Sequence, residues 1–483
     1  MDGFHFRRLT DPVHGTFGIS ELESDVLSTP VFQRLHNVKQ LGLAHLVYPG
    51  AGYSRFSHSV GACHVAGRMM RAINQNCKRE WDDHAVQLYR LAALLHDVGH
   101  YPFSHATEHV LQNHYKAETY LTDAADDELI GPNPDIPEDP AAYDHETLGR
   151  KIIEIDDDIG SVLKKHGFTR EEIRSVFSRE QPDMLSNLVS SDLDCDRLDY
   201  LMRTAHGAGI PYGGVDVEYL TTQTCVDSEG NLCLTSKALR AADHFLVSRY
   251  YDYTQVAYHK TVVGLEEVLK DVIAGLVRRG LDCSGRAMKQ MIVDGSFAAF
   301  DDQALISRMR AALQAAGPDD DIFRRKLNSV LKREAPKLIA ASERIAPRTQ
   351  DNDYLNNVDQ LRKGIPAWAG EFGIPPDLWH LWKAKLNLSK IGSTISVGDA
   401  DGDGFEEERQ QVVRILTTHH HDECSKSKPL IDHDFALMKQ LANVRLYSMR
   451  LYVHLPEDCK NPAELREAIG KKIRSDLPHF PFS

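Results

Sequence analysis

A chain of 483 residues, 42% hydrophobic and 26% charged, has the make-up of a globular protein with room for one large core or for two to three domains. Its net charge of −14 argues against binding along extended nucleic acid, which needs a basic surface, but not against a small anionic substrate held by a local group of Arg, Lys and metal. No apolar run approaches the roughly 20 residues that span a bilayer, the N-terminus lacks a signal-peptide stretch, and the scattered Cys form no CxxC pair. A cytoplasmic protein with free thiols is expected, and zinc-finger and thioredoxin readings are excluded.

In chain order, Thr29-Pro30 predicts a helix start, with Phe32, Leu35 and Val38 on the apolar face, Gln40 and Leu41 at the end, and Arg34 and Lys39 in solvent. A loop at Gly50, Gly52 and Tyr53 leads into a helix over residues 57–76. The next helix covers residues 83–98, with Val86, Leu91, Leu94 and Leu95 as its stripe and Gly99 as its stop. Residues 113–145 mix acidic side chains with Pro132, Pro134, Pro137 and Pro140. This is the composition of a mobile loop, which delivers His145 to the start of another helix. Residues 155–182 read as helical. Residues 183–210 read as one helix with Asp192, Asp196 and Asp199 on roughly one face.

Cys225 to Leu234 predicts a β-hairpin turning at Glu229-Gly230-Asn231, followed by helices over residues 236–254 and 258–279. Residues 283–390 read as mostly helical. The run Asp399-Ala400-Asp401-Gly402-Asp403-Gly404 begins like a calcium loop, but Gln410 stands where a bidentate Glu is needed, so calcium is not favoured. His419-His420-His421 reads as solvated loop. A strand over residues 445–455 and a helix over residues 462–475 close the chain. The expected fold is mainly α. It has a helical core over residues 1–282, a helical region with a polar loop over 283–428, and a small α+β module over 429–483.

The most informative stretch is His96-Asp97-Val98-Gly99-His100-Tyr101-Pro102-Phe103-Ser104-His105. A neutral imidazole nitrogen and a carboxylate oxygen both ligate metals. Neighbouring helical residues point about 100° apart, so His96 and Asp97 do not share a core face, yet both reach one ion at a helix end. With His58 upstream and Asp196 downstream they make a two-His, two-carboxylate set. Crowding Asp192, Asp194, Asp196 and Asp199 is unfavourable unless a cation or Arg neutralises them, and a metal at Asp196 accounts for it. Histidine's unperturbed pKa lies near neutrality, which suits His100, His105 and His145 to proton transfer. Arg55, Arg197, Arg249 and Lys260 supply charge for phosphate oxygens. These residues alone imply hydrolysis of a phosphoester with a divalent metal, open among Mn, Mg, Fe and Zn.

Together with Asp11-Pro12-Val13-His14-Gly15, Phe32-Gln33-Arg34-Leu35, Lys39-Gln40-Leu41-Gly42, Arg55-Phe56-Ser57-His58, Asp196-Arg197-Leu198-Asp199-Tyr200 and Tyr258-His259-Lys260, this stretch resembles the HD-domain deoxynucleoside triphosphate triphosphohydrolases. That branch holds the dGTPases and the sterile-alpha-motif/HD enzyme, and the similarity runs over residues 11–280. The resemblance implies an HD-domain helical core. It also implies attack at the α-phosphorus, giving a deoxynucleoside and inorganic triphosphate. It assigns substrate contacts to Gln40, Leu41, Arg55, Arg197, Tyr200, Thr204, Arg249, His259 and Lys260, and adds His145 and Glu146 to the catalytic group of His100 and His105. A homo-oligomer, dimer or tetramer, is implied, with room for a nucleotide activator.

Two positions depart from the family. Thr204 stands where an Asp binds the sugar 3′-hydroxyl. Ser28 and His36 stand where the animal enzyme's activator site has Asp and Arg, although Gln33 is kept, so the same GTP activation is not expected. No sterile-alpha-motif domain is expected. The competing readings are another HD phosphohydrolase, a nucleotidase or phosphodiesterase, and a non-catalytic nucleotide sensor.

Overall fold

The helix predicted after the Gly50–Gly52 loop forms as α1 (Arg55–Cys77), and the core is assembled around it. Val60, Ala62, Cys63, Val65, Ala66, Met69, Met70 and Ile73 are all buried, so α1 is enclosed on more than one face. The computed structural model describes residues 7–77, 81–122, 143–178, 185–211, 214–387, 412–418 and 425–483. Helix α2 (Asp83–Leu95) packs along α1, its first turn capped by the Asp82 carboxylate on the Ala85 N–H. There follow α3 (His105–Thr122), α4 (His145–Ile155), α5 (Cys195–Ala208), α6 (Leu239–Asp252) and α7 (Lys260–Arg278). Helix α5 crosses α1, and Gly61 permits the approach: a Cβ there would lie 1.9 Å from Asp199 Oδ1.

Among the described residues, three small sheets accompany the helices. Strands β1 (Arg7–Asp11) and β2 (Gly15–Ile19) form an antiparallel hairpin. The hairpin predicted between Cys225 and Leu234 forms as β3 (Thr224–Val226) and β4 (Leu232–Leu234). The later strands are β5 (Lys337–Pro347), β6 (Trp379–Asn387), β7 (Arg414–Leu416), β8 (Ser427–Pro429) and β9 (Val444–Val453). They complete a four-stranded sheet of order β3-β4-β7-β8 and an antiparallel one of order β5-β9-β6. Helices α8 (Asp351–Phe372) and α9 (Pro462–Asp476) join this last sheet in a second core around Tyr354, Trp368, Trp379, Tyr447, Leu451 and Ile469. The fold is mainly α. No helix among the described residues is long and apolar enough to cross a membrane.

The structure corrects the sequence reading in four places. Residues 283–390 are mostly helical as expected, but they also hold strands β5 and β6, which the sequence reading did not predict: β9 takes them as partners on both sides and satisfies its backbone groups there. Residues 183–210 are not one helix. Asp194 accepts from the Ser191 and Arg197 N–H groups and so caps a helix that begins only at Cys195, leaving Asp192 in the preceding turn. The helix predicted for residues 83–98 ends at Leu95. The segment after Thr29 is a single turn, Pro30–Gln33, continued by a 3-10 turn, Arg34–Asn37, and Arg34 is buried rather than solvated.

Candidate active site

After Leu95 the chain turns through residues 96–99, and buried groups from distant segments hold that turn. The two terminal nitrogens of Arg34 donate to the carbonyls of Phe300, Val98 and His100 at 2.8–2.9 Å. Gly99 abuts the first turns of α4. A Cβ on it would lie 2.1 Å from the His145 carbonyl and 2.2 Å from the Gly149 nitrogen. This backbone-to-backbone contact brings His145 over His100. Just beyond, Phe103 and Ser104 adopt left-handed φ values of 55° and 53°. Such conformations are unfavourable by about 1–3 kcal/mol each. The Asp302 carboxylate holds them by accepting from Phe103 N–H (2.7 Å), while Arg55 Nε donates to Ser104 Oγ (2.9 Å).

His58, His96, Asp97 and Asp196 converge. His58 Nδ1 donates to Asp199 Oδ2 and His96 Nδ1 donates to the Ala93 carbonyl, both at 2.7 Å. A carbonyl only accepts, so the His96 proton sits on Nδ1 and its Nε2 lone pair points inward. The two Nε2 atoms face each other at 3.3 Å. Asp196 Oδ1 lies 2.9 Å from His58 Nε2 and 3.7 Å from His96 Nε2. Asp97 presents Oδ1 at 3.3 Å from His96 Nε2 and Oδ2 at 3.6 Å from His58 Nε2. Neighbouring donors on an octahedral ion with bonds of about 2.1 Å stand roughly 3 Å apart. Two imidazole lone pairs and two carboxylates at this spacing fit a divalent cation, and Asp199 and Ala93 fix the tautomers. Burial alone would lower the His58 pKa, but hydrogen bonds to Asp196 and Asp199 push it up to about 10, so a cation held here would take the place of the proton on Nε2. Burial likewise opposes ionisation of Asp97, yet Arg55, His96 and His100 hold its carboxyl well below the usual range.

Beside this set lies a second histidine group. His100 stacks on His145 with centroids 3.8 Å apart, and His105 stands edge-on to both. Glu108 accepts from His105 Nδ1 at 2.9 Å and from His145 Nδ1 at 3.2 Å. Despite burial, those two bonds hold the Glu108 carboxyl well below its usual range. Sequence analysis missed Glu108; its i,i+3 spacing from His105 at a helix start was the available signal. Glu146, expected in the catalytic group, lines the same cavity as these histidines, with its carboxylate 3.8 Å from Arg150 and largely exposed. His100, His105, Glu108 and His145 also lie close enough to hold an ion, but their bonds to one another already satisfy Glu108. His100 Nε2 lies 3.1 Å from Asp97 Oδ1. Burial, together with the charges of Arg55 and His145, holds its pKa well below the ordinary imidazole value.

Both groups open into one cavity of about 370 Å³, whose wall includes Gln40, Leu41, Arg55, Arg197, Tyr200 and Arg249. Gln40 Oε1 is buried with no hydrogen-bond partner among the described residues. Arg197 and Arg249 both reach Asp192, at 2.8 and 3.3 Å. Asp252 and Tyr253, which sequence analysis did not select, line the same wall at the π-helical turn Tyr253–Ala257. Such turns occur often at functional sites.

Four expectations change. Arg55 is engaged by Asp97 (2.6 Å) and Ser104, so it braces that candidate ligand before it faces any phosphate. Thr204 is fully buried with its hydroxyl 2.7 Å from the Tyr53 hydroxyl. His259 caps α7 by accepting from Thr261 N–H, and Lys260 is exposed. The cavity wall contains none of these last three. Residues 123–142 of the acidic loop, the calcium-like run from Asp399 and His419-His420-His421 lie outside the described residues.

Residues 55–199, which include every member of both groups, match the family model of the HD domain, so the chain contains an HD domain. It is 32% identical over 266 residues to an uncharacterized protein of Bacillus subtilis (strain 168), covering 54% of each chain. It is 28% identical over 241 residues to the deoxynucleoside triphosphate triphosphohydrolase SAMHD1 of Gallus gallus, covering 46% of this chain and 37% of that one. The chain thus spans about half the length, or less, of these curated relatives. A crystal structure of a phosphohydrolase from Bacteroides thetaiotaomicron superposes with a TM-score of 0.64 at 21% identity, covering 93% of this chain and all of that one, which establishes a shared fold.

Proposed function

We propose, with the HD domain as premise, that the protein is a metal-dependent phosphohydrolase that cleaves deoxynucleoside triphosphates to deoxynucleoside and inorganic triphosphate. The observation that carries the phosphohydrolase reading is the pair of inward-facing Nε2 atoms of His58 and His96, set between the Asp97 and Asp196 carboxylates. The finer reading, a deoxynucleoside triphosphate, is supported by the ordered motifs and by the named activity of the Gallus gallus relative.

His58, His96, Asp97 and Asp196 would hold a divalent cation, which when bound polarises a phosphoryl oxygen and an attacking water. Arg197 and Arg249, oriented by Asp192, neutralise the phosphate chain as it gains charge. Gln40 offers its unpartnered carbonyl oxygen to a sugar hydroxyl, and Tyr200 gives a flat wall for the nucleoside. His105 and His145, both hydrogen-bonded to Glu108, carry the proton to the leaving oxygen. The reading includes a cytoplasmic setting and self-association as a dimer or tetramer.

Chromatographic product analysis tests it. The protein is incubated with each dNTP and NTP, singly and mixed, with Mn²⁺ or Mg²⁺. Nucleoside plus intact triphosphate is expected, and Asp196→Asn should lose both turnover and bound metal. Release of monophosphate instead would replace this reaction with a nucleotidase.

A further inference from the structure

The middle strand of the C-terminal sheet reaches the backbone beside the substrate cavity, a contact that the chemistry above does not use. Side chains alternate along a strand. Tyr447, Met449, Leu451 and Val453 of β9 point into the second core, so Arg450 and Tyr452 point the other way, toward α7. Tyr452 lies on α7 at Gly264, where a Cβ would stand 3.1 Å from its ring. Its hydroxyl donates to the Lys260 carbonyl at 2.8 Å. Arg450, 7% exposed, donates through Nη1 to the Tyr258 carbonyl and reaches Glu343 at 3.2 Å. Its guanidinium lies 5.0 Å from the centre of the Trp382 ring, and the rings of Trp382 and Tyr258 meet edge-on with centroids 4.9 Å apart. Burying a guanidinium is unfavourable unless ionic hydrogen bonds offset it.

The carbonyls that these two side chains hold follow directly on the π-helical turn Tyr253–Ala257. The Tyr258 N–H closes that turn on the Tyr253 carbonyl at 2.7 Å. Tyr253 and Ala257 line the cavity, and the Tyr253 ring lies 5.5 Å from the Tyr258 ring and 5.7 Å from the Arg249 guanidinium. Turns of this width are rare, and the carbonyls at the end of a helix have no partner within it. Tyr48 takes the Gln255 carbonyl at 2.6 Å, and Arg450, from a different core, takes that of Tyr258. We propose that Arg450 and Tyr452 are positioning residues: through them the C-terminal sheet fixes the π-helical turn, and so fixes where Tyr253 and Ala257 stand in the cavity. The effect on turnover rests on the function proposed above; the effect on the turn does not.

Hydrogen–deuterium exchange of the full chain, read by mass spectrometry, tests the proposal in Arg450→Met, Arg450→Lys and Tyr452→Phe. In Arg450→Met, peptides spanning residues 253–259 should exchange about tenfold faster, the loss expected for one charge-assisted hydrogen bond, while those of α2 keep their rate. Arg450→Lys, whose ammonium still donates to the Tyr258 carbonyl, should recover most of the protection. Tyr452→Phe loses a single hydroxyl and should speed the same peptides several-fold. With deoxynucleoside triphosphate as substrate, the KM of Arg450→Met should rise about tenfold at unchanged metal content, with kcat nearly unchanged. Unchanged exchange at residues 253–259 in both Arg450→Met and Tyr452→Phe overturns the proposal. So does an equal increase in α2, which marks general loosening, and so does faster exchange with KM unmoved. A wild-type protein that hydrolyses no nucleotide overturns the proposed function instead, and the exchange rates then decide the role of Arg450 and Tyr452 alone.

Discussion

Replacing Gly99 with Ala tests how the histidine group is held. The new Cβ would sit 2.1 Å from the His145 carbonyl, and ordinary contact begins at 3.4 Å, so α4 must retreat by about 1.3 Å. Backbone lies on both sides of the contact, so no flexible side chain can yield. Overpacking of this kind reduces stability by about 1–3 kcal/mol. A displacement of about 1 Å at catalytic groups lowers turnover by roughly a hundredfold. The matched control is Gly149→Ala across the same contact. Its Cβ would meet nothing closer than 3.5 Å, and Ala gains about 1 kcal/mol over Gly in a helix. Steady-state turnover, metal content and thermal melts should therefore separate the pair. Gly99→Ala loses activity while keeping its metal, and Gly149→Ala keeps both. Equal behaviour of the two, or full activity in Gly99→Ala, would refute the idea that this contact sets the position of His145.

Other tests address other parts of the molecule. Glu108→Gln should lower turnover on the order of a hundredfold at unchanged metal content, since His105 and His145 lose the charge that orients them; loss of metal on elemental analysis would put Glu108 in the wrong group. Arg34→Met strips the donors from three buried carbonyls and should lower unfolding stability by about 3 kcal/mol or more in urea titration; a change under about 0.5 kcal/mol would mean those carbonyls find other donors. Burial raises the Glu266 carboxyl to about 7, so the fold disfavours its ionised form: that group's contribution is full below pH 4.5 and is lost as pH climbs through about 7. Glu266→Gln should then raise Tm at pH 8.5 and leave it unchanged at pH 4.5, and equal shifts at both would contradict the assignment.

The meeting of His58, His96, Asp97 and Asp196 and the helical core were legible because each signal was local or carried by a repeated period. His96-Asp97 at the end of an apolar stripe needs no tertiary information, and neither does the enclosed face of α1. What escaped were residues whose roles depend on contacts far along the chain. Arg34 resembles any surface arginine until the carbonyls of Val98 and Phe300 close around it. Asp302 lies in a segment of unremarkable composition, yet it accepts from the backbone of Phe103 and Lys39. Strands β5 and β6 were hidden for the same reason. They exist because β9 arrives between them from almost a hundred residues away in the case of β5. Gly99 was read as a helix stop, and only the approach of Gly149 reveals its steric function.

The crowded aspartates show how side chains that converge can be picked out on a partly mistaken rationale. Sequence spacing put Asp192, Asp196 and Asp199 on one face, called for a cation or Arg to neutralise them, and took a metal at Asp196 to account for the crowding. In the structure each finds its own counter-charge. Asp192 takes Arg197 and Arg249, and Asp199 takes both nitrogens of a fork from Arg203 along with His14 and His58. Only Asp196 turns its carboxylate to the inward nitrogens of His58 and His96. Asp199 therefore works one step removed: pinned by Arg203, it fixes the tautomer of His58 and so aims the lone pair that a metal needs. Gly61 exists in this arrangement for the same purpose, because any side chain there would displace the Asp199 carboxylate. Most of the neutralisation that the spacing called for comes from three arginines, and Asp196 is the single carboxylate on α5 that none of them reaches among the described residues.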